Sequence, residues 1–336
     1  MRQVLACKLA VSLALIAAVG GFCVSGCVNH VQMPASDVDY ADGQRAETIA
    51  PKVVILVIDG LRYTESFGDP AREHIPHLSS ELAPQGTLFD NFRNMGDTRT
   101  VPGHAAIVTG TWQYIENDGS ERPGMPTVFE YYRKSRALAV EETAVVSGKS
   151  KLSVCSYSTH PDYGAAYGAV EDAGIGGDAD VFNELIAVLA ADHPSLVLVN
   201  FASVDGAGHS GEWDRYTDAI ETADSLTAEV WEYLQADTVY AGHTYLFVTN
   251  DHGRHSDENG GFKDHGDGCE GCQHVMLLAL GPEVRPGYTV TNFYTLRDLC
   301  PTIGELLGVE TPESGGSVLN EMFIPSLTGI DAGSSR

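Results

Sequence analysis

The segment Thr98-Arg99-Thr100-Val101-Pro102-Gly103-His104 brings a hydroxyl, an imidazole and a helix-starting proline together. Proline is favoured in the first turn of a helix, so the spacing predicts Thr100 at or just before a helix N-terminus. Free backbone N–H groups and the positive end of the helix dipole there favour an alkoxide and an anionic ester. A threonine hydroxyl is a weak nucleophile at neutral pH until its pKa is lowered, which direct coordination to a metal achieves. Taken alone, Thr100 reads equally well as a simple helix cap.

Metal-ligand types recur where a metal would need them. Asp59 follows the run Val53 to Ile58, and Asp205 follows a run ending at Phe201, with His209 four residues on in Asp205-Gly206-Ala207-Gly208-His209. Asp251-His252 closes the run Thr244 to Thr249, and Asp264-His265-Gly266 precedes a further apolar run. Carboxylates mixed with imidazoles suit Zn2+ or a related divalent ion. A single Asp at a strand end is usually a turn residue; five such positions together point to a metal centre.

These residues need elements to converge them. Lys52 to Ile58 is a β-branched run bounded by Pro51 and Asp59-Gly60, the pattern of a strand buried on both faces. Thr143 to Val146, Ser195 to Phe201, Thr244 to Thr249 and Val275 to Leu280 read as further core strands. Trp213 to Leu234 reads as a helix, with Trp213, Tyr216, Ile220, Ala223, Val230 and Leu234 on one face. Strands alternating with helices predict an α/β fold, a three-layer α/β/α arrangement around a mostly parallel sheet. Sites in such sheets form beyond the carboxyl ends of the strands.

In order and type, Ile55-Leu56-Val57-Ile58-Asp59-Gly60, Thr100-Val101-Pro102-Gly103-His104, Asp205 to His209, Asp251-His252-Gly253 and His265-Gly266 resemble the alkaline phosphatase superfamily. The likeness is strongest to its nucleotide pyrophosphatase/phosphodiesterase and single-chain phosphatase branches. The resemblance implies one metal held by Asp59, Thr100, Asp251 and His252, and a second held by Asp205, His209 and His265. Two cations about 4 Å apart clamp the attacking and leaving oxygens of an in-line displacement, with Thr100 as nucleophile and a phosphothreonine intermediate. Lys149 and Lys151 resemble the lysine-bearing segment of sulfatases and the cation pair of monoesterases, which implies contacts to substrate oxygens; a solvated turn is the alternative. His274 competes with His265 as ligand, and the family pattern favours His265. His104 and His255 are expected beside the ligands rather than among them.

The chain also departs from its likenesses. His104 stands where sulfatases carry an arginine, and Thr100 is neither Cys nor Ser, which argues against a sulfatase. Gly103 replaces the asparagine that phosphodiesterase relatives place against phosphate. Asn117, in Asn117-Asp118-Gly119, is a candidate replacement for that contact or an ordinary turn residue.

Composition sets the outer limits. A formal net charge of −26 over 336 residues excludes a nucleic-acid partner held by phosphate neutralisation. An acidic enzyme binding an anionic ester then needs a local cationic site, which protein-held metals supply. Arg2 and Lys8 precede an apolar run from Leu9 to Phe22, the pattern of an export signal. Val24-Ser25-Gly26-Cys27 resembles the bacterial lipobox, implying diacylation of Cys27, firm membrane attachment and, with Val28 and Asn29 following, the outer membrane. The domain expectation is a signal over 1–26, a tether over 27–51, one catalytic domain over 52–325 and a flexible tail over 326–336. In an oxidising compartment, Cys269-Glu270-Gly271-Cys272 is expected as a structural disulfide pinning the His265 loop, with a redox pair or half a metal site as alternatives. Cys155 and Cys300 are left as a bridge or two buried thiols.

The resulting expectation is a hydrolase of phosphoric esters with two divalent metals, Zn2+ foremost and Mn2+ next, acting on a small-molecule ester. A phosphodiesterase or nucleotide pyrophosphatase, a phosphoryl transferase, a less favoured sulfatase-like hydrolase and a metal-binding lipoprotein without turnover stand as alternatives.

Overall fold

The computed structural model describes residues 50–325; Cys27, the export signal and the tail fall outside them. Nine strands form one sheet: β1 (Lys52–Ile58), β2 (Thr87–Arg93), β3 (Thr143–Ser147), β4 (Val170–Ala173), β5 (Leu196–Phe201), β6 (Thr244–Thr249), β7 (His274–Leu280), β8 (Tyr288–Val290) and β9 (Tyr294–Thr295). The order is β4-β3-β5-β1-β6-β7-β2-β8, with β9 beside β2. β1 lies centrally, parallel to β5 and β6, and β3 runs parallel to β5.

Every residue of β1 is buried, and the strand's alternation feeds two cores. Val53, Ile55 and Val57 face one cluster; Val54, Leu56 and Ile58 face the other. The first core is closed by α1 (Thr100–Thr109), α2 (Val128–Arg136) and α7 (Leu299–Leu307), and the second by α3 (Asp178–Asp192), α4 (Ser203–Ser210) and α5 (Trp213–Ala236). Each fully buried Val, Leu or Ile contributes on the order of 1.5–3 kcal/mol. The expected three-layer α/β/α arrangement is the observed one.

The sheet is mixed at one end. β7 runs antiparallel to both β6 and β2, so the N-terminus of β7 lies at the same edge as the carboxyl ends of its neighbours. β2, unforeseen in the sequence, carries Asp90 and Asn91 where its pairing with β7 shifts register between Phe89 and Phe92. It delivers the chain at Arg93 to the functional edge, a few residues before α1 begins at Thr100. Among the described residues no helix is long and apolar enough to cross a membrane.

Candidate active site

At the carboxyl ends of β1 and β6, three donor atoms face one another. His252 Nε2 is 3.6 Å from Asp59 Oδ1 and 3.5 Å from Asp251 Oδ2. All three side chains are fully buried, and each of these three atoms lacks a hydrogen-bond partner. Leaving a buried polar atom unpaired costs about 1–3 kcal/mol, and more for a charge, so three such atoms meeting at one point fit a cation. Burial and the neighbouring His265 ring hold His252 below the usual imidazole range against its carboxylate neighbours, which keeps it in the neutral form that binds metals.

A second triad stands on the far side of His252. Asp205 Oδ1 lies 3.3 Å from His209 Nε2 and 3.4 Å from His265 Nε2, and the two imidazole nitrogens are 3.2 Å apart. Tetrahedral bonds of 2.0–2.1 Å place ligand atoms roughly 3.3–3.4 Å from one another, so this triangle already has the spacing of a zinc site's face. The helix α4 supplies Asp205 and His209 one turn apart. His265 is oriented by its own Nδ1, 2.9 Å from the Thr98 carbonyl, the usual device for fixing a ligand's tautomer. The His252 and His265 rings stack with centroids 3.8 Å apart, so the triads share a wall. His209 is half exposed and marks the open side.

Two cations, one partly and one fully buried, balance the carboxylates. Lys149 Nζ lies 2.9 Å from Asp59 Oδ2, 2.6 Å from Asp205 Oδ2 and 3.3 Å from Thr100 Oγ1. Burial opposes its charge, but Asp59, Asp205 and Asp251 outweigh burial and hold it well above the usual lysine range. Burial likewise works against Asp205 and Asp251, yet both sit well below the usual carboxylate range: His209, His265 and Lys149 act on the first, His252, His104 and Lys149 on the second.

Arg254, fully buried, pairs with Asp205 Oδ1, donates from Nη2 to the Asp205 carbonyl at 2.7 Å and from Nε to the Gly60 carbonyl at 3.1 Å. Two glycines make room for it. A Cβ at Gly208 would meet Arg254 Cζ at 2.4 Å. Gly60 has φ +70°, and a Cβ there would meet Asp205 Oδ1 at 3.0 Å.

Thr100 is the first residue of α1, all of whose residues are buried. Asn117 Oδ1 caps the helix by accepting from Val101 N at 2.9 Å, and accepts from Lys151 Nζ at 3.2 Å. The expected lysine pair is therefore split: Lys149 bridges the carboxylates, while Lys151 stands with Asn117 at the helix end. A Cβ at Gly103 would meet the Asp251 carbonyl oxygen at 2.6 Å, so the absence of an asparagine there follows from the close approach of α1 to Asp251. His104, fully buried, places Nδ1 2.9 Å from the Thr100 carbonyl and 3.3 Å from Asp251 Oδ2. Its Nε2 lies 3.2 Å from Asn200 Nδ2, which donates to Asp59 Oδ2 at 3.1 Å.

Position bears on three readings that the sequence left open. His274 is drawn away: its Nε2 is 3.0 Å from the Asp90 carbonyl and its ring stacks on Tyr63, leaving His265 in the cluster. Cys269 and Cys272 are free, their sulfurs 3.4 Å apart, which corrects the disulfide expectation. Cys155 and Cys300 are two buried free thiols. Asn200 and Arg254 were not read from the sequence: one sits inside the apolar run of β5, and the other looked like one more polar residue after Asp251-His252-Gly253. A cleft of about 500 Å³ opens beside the site, walled by Met95, Thr98, Trp112, Tyr114, Gly266 and Asp267.

A family model described as the Metalloenzyme superfamily matches residues 168–311, the stretch that supplies Asp205, His209, Asp251, His252 and His265. A protein in the alkaline phosphatase superfamily from Vibrio parahaemolyticus superposes with a TM-score of 0.60 at 17% identity, covering 81% of this chain and 70% of that one. The fold is shared with that protein, and the Metalloenzyme superfamily match is confined to residues 168–311. Murine ectonucleotide pyrophosphatase/phosphodiesterase 5 shares this alkaline phosphatase-like fold with a TM-score of 0.61 at 15% identity, covering 81% of this chain and all of that one. Over 173 residues the chain is 28% identical to a phosphopentomutase of Desulfitobacterium hafniense, 51% of this chain and 41% of the mutase. The chain thus spans about two fifths of that relative's length.

Proposed function

We propose that this protein is a metal-dependent hydrolase of phosphoric esters, selective for monoesters and acting through a phosphothreonine at Thr100. The observation that carries this reading is the meeting of two donor triads, Asp59, Asp251, His252 and Asp205, His209, His265, with Lys149 Nζ ion-paired to Asp59 and Asp205 and hydrogen-bonded to Thr100 Oγ1. Divalent metals, if held by the triads, would supply Lewis acidity and a lowered hydroxyl pKa.

The chain's own groups do the rest. Thr100 Oγ1 attacks phosphorus and the ester oxygen leaves with the alcohol. The positive end of the α1 dipole favours the phosphoryl oxygens, the Val101 N–H being taken up by Asn117. Lys151, and Lys149 once released from between Asp59 and Asp205, neutralise the additional negative charge that distinguishes a monoester from a diester. His104 and Asn200 hold Asp251 and Asp59 in register. Water then cleaves the phosphothreonine, releasing phosphate and restoring Thr100. The aromatic wall of Trp112 and Tyr114 suits a flat leaving group. An N-terminal lipid on Cys27 would set this activity at the cell envelope.

The phosphopentomutase likeness favours a second reading, in which the phosphoryl group passes from Thr100 to a second alcohol rather than to water. The test is direct: purified protein with Zn2+ or Mn2+ is assayed on p-nitrophenyl phosphate and on bis-p-nitrophenyl phosphate, with and without a polyol acceptor. The expected result is a monoester kcat/KM at least about tenfold higher, equivalent to 1.4 kcal/mol of transition-state preference. A diester preference overturns the monoester assignment. Aryl alcohol released in excess over phosphate when a polyol is present indicates transfer.

A further inference from the structure

The loop bearing His265 gathers a second set of donors outside both triads. Cys272 Sγ lies 3.4 Å from Cys269 Sγ and 3.4 Å from Asp267 Oδ1. His255 Nε2 lies 3.3 Å from the same Asp267 oxygen, and that nitrogen is buried without a hydrogen-bond partner. One ligand atom from each of the four residues falls within 4.8 Å of the others.

Backbone contacts build this arrangement. Gly253 N donates to the Cys272 carbonyl at 2.8 Å, and His255 N to the Asp264 carbonyl at 3.0 Å. The two segments approach at bare glycines: a Cβ on Gly253 would lie 2.0 Å from the Gly271 carbonyl oxygen, and one on Gly271 2.4 Å from that of Arg254. Cys269 caps the short helix α6 (Glu270–Gln273), so its sulfur and that of Cys272 project from one turn.

Two thiolates, an imidazole and a carboxylate form a set that selects zinc, and tetrahedral bonds of about 2.0–2.3 Å to such donors require ligand atoms roughly 3.3–3.8 Å apart. A disulfide would instead bring the sulfurs to about 2.05 Å and leave His255 Nε2 unpaired. Burial and the neighbouring Cys269 push the Cys272 thiol well up, and a coordinated cation is what ionises such a thiol.

We propose that His255, Asp267, Cys269 and Cys272 form a closed structural zinc site, distinct from the catalytic centre, that staples the loop from which His265 reaches Asp205. Binding displaces one proton from each thiol, with no change in oxidation state. Residues 255 and 267 bracket the loop, so the staple fixes both of its ends.

The experiment uses the full chain loaded with Co2+ in place of zinc. Thiolate ligation gives a sulfur-to-cobalt charge-transfer band in the near ultraviolet that the oxygen and nitrogen donors of the catalytic triads cannot produce. The expected result is that band in the wild type, its loss in the Cys269→Ser/Cys272→Ser variant, and one equivalent less bound zinc in the variant by elemental analysis. Wild-type protein with reduced thiols and no such band overturns the proposal, as does a molecular mass showing Cys269 and Cys272 joined in the zinc-loaded protein. Should the double variant not fold, the wild-type spectrum and mass decide alone.

Discussion

Thr100→Ala is expected to lower kcat on an aryl phosphate by on the order of 10⁴-fold, the scale on which removing an essential nucleophile acts, while the bound metal content stays close to that of the wild type. In the proposed centre Thr100 adds one hydroxyl to three buried carboxylates and three imidazoles. Its loss removes the attacking atom without dismantling the cage. The fold should survive as well, because Asn117, not Thr100, caps α1 through Val101 N. Rapid-quench measurement of acid-stable phosphoprotein completes the test: label on the wild type, none on Thr100→Ala. Equal kcat in the two proteins would end the nucleophile assignment.

Asp205→Ala is expected to be the more damaging substitution, because Asp205 serves two structures at once. It gives one oxygen to the His209 and His265 triad, and its carboxylate compensates two cations, partly buried Lys149 and fully buried Arg254. Removing one partner of a buried ion pair costs about 3–5 kcal/mol, since the remaining charge is left without compensation. Arg254 has no route to water: it is fully buried and fixed between the Gly60 and Phe262 carbonyls. The variant should therefore lose one metal equivalent, all measurable turnover and a large part of its stability to denaturant. Unchanged stability would show that Arg254 is satisfied by those carbonyls alone.

Much of this donor cluster was legible in the sequence because its candidate ligands obey a positional rule. In a parallel sheet the residue after each central strand lies at one edge, so Asp59, Asp205 and Asp251-His252 could be placed from apolar runs alone. His209 followed from the one-turn spacing on α4. What stayed hidden depends on contacts made across the sheet. Arg254 is defined by the space that Gly60 and Gly208 leave for it, and nothing local distinguishes it from a surface arginine. Asn200 occupies a position that reads as one more core residue, yet its amide ties His104 to Asp59.

The same division holds for the fold. β1, β5 and β6, largely apolar and fully buried, were read almost to the residue. β2 was missed because Asp90 and Asn91 interrupt its apolar pattern where its pairing with β7 shifts. The antiparallel direction of β7 also lay beyond local reading. Its consequence is functional: it brings the Cys272 turn back beside Gly253 and places the His265 loop over the centre. Lys149 was expected to face the substrate; in the structure it bridges Asp59 and Asp205, as an ammonium does when carboxylates converge around it.

The most direct measurement of the central claim is anomalous diffraction from crystals grown with Zn2+ or Mn2+, recorded at the metal's absorption edge. Two peaks are predicted in the cleft, one bounded by Asp59, Asp251 and His252 and one by Asp205, His209 and His265, with Lys149 displaced from between the carboxylates. A cleft without metal density, with Lys149 still joining Asp59 to Asp205, would contradict it.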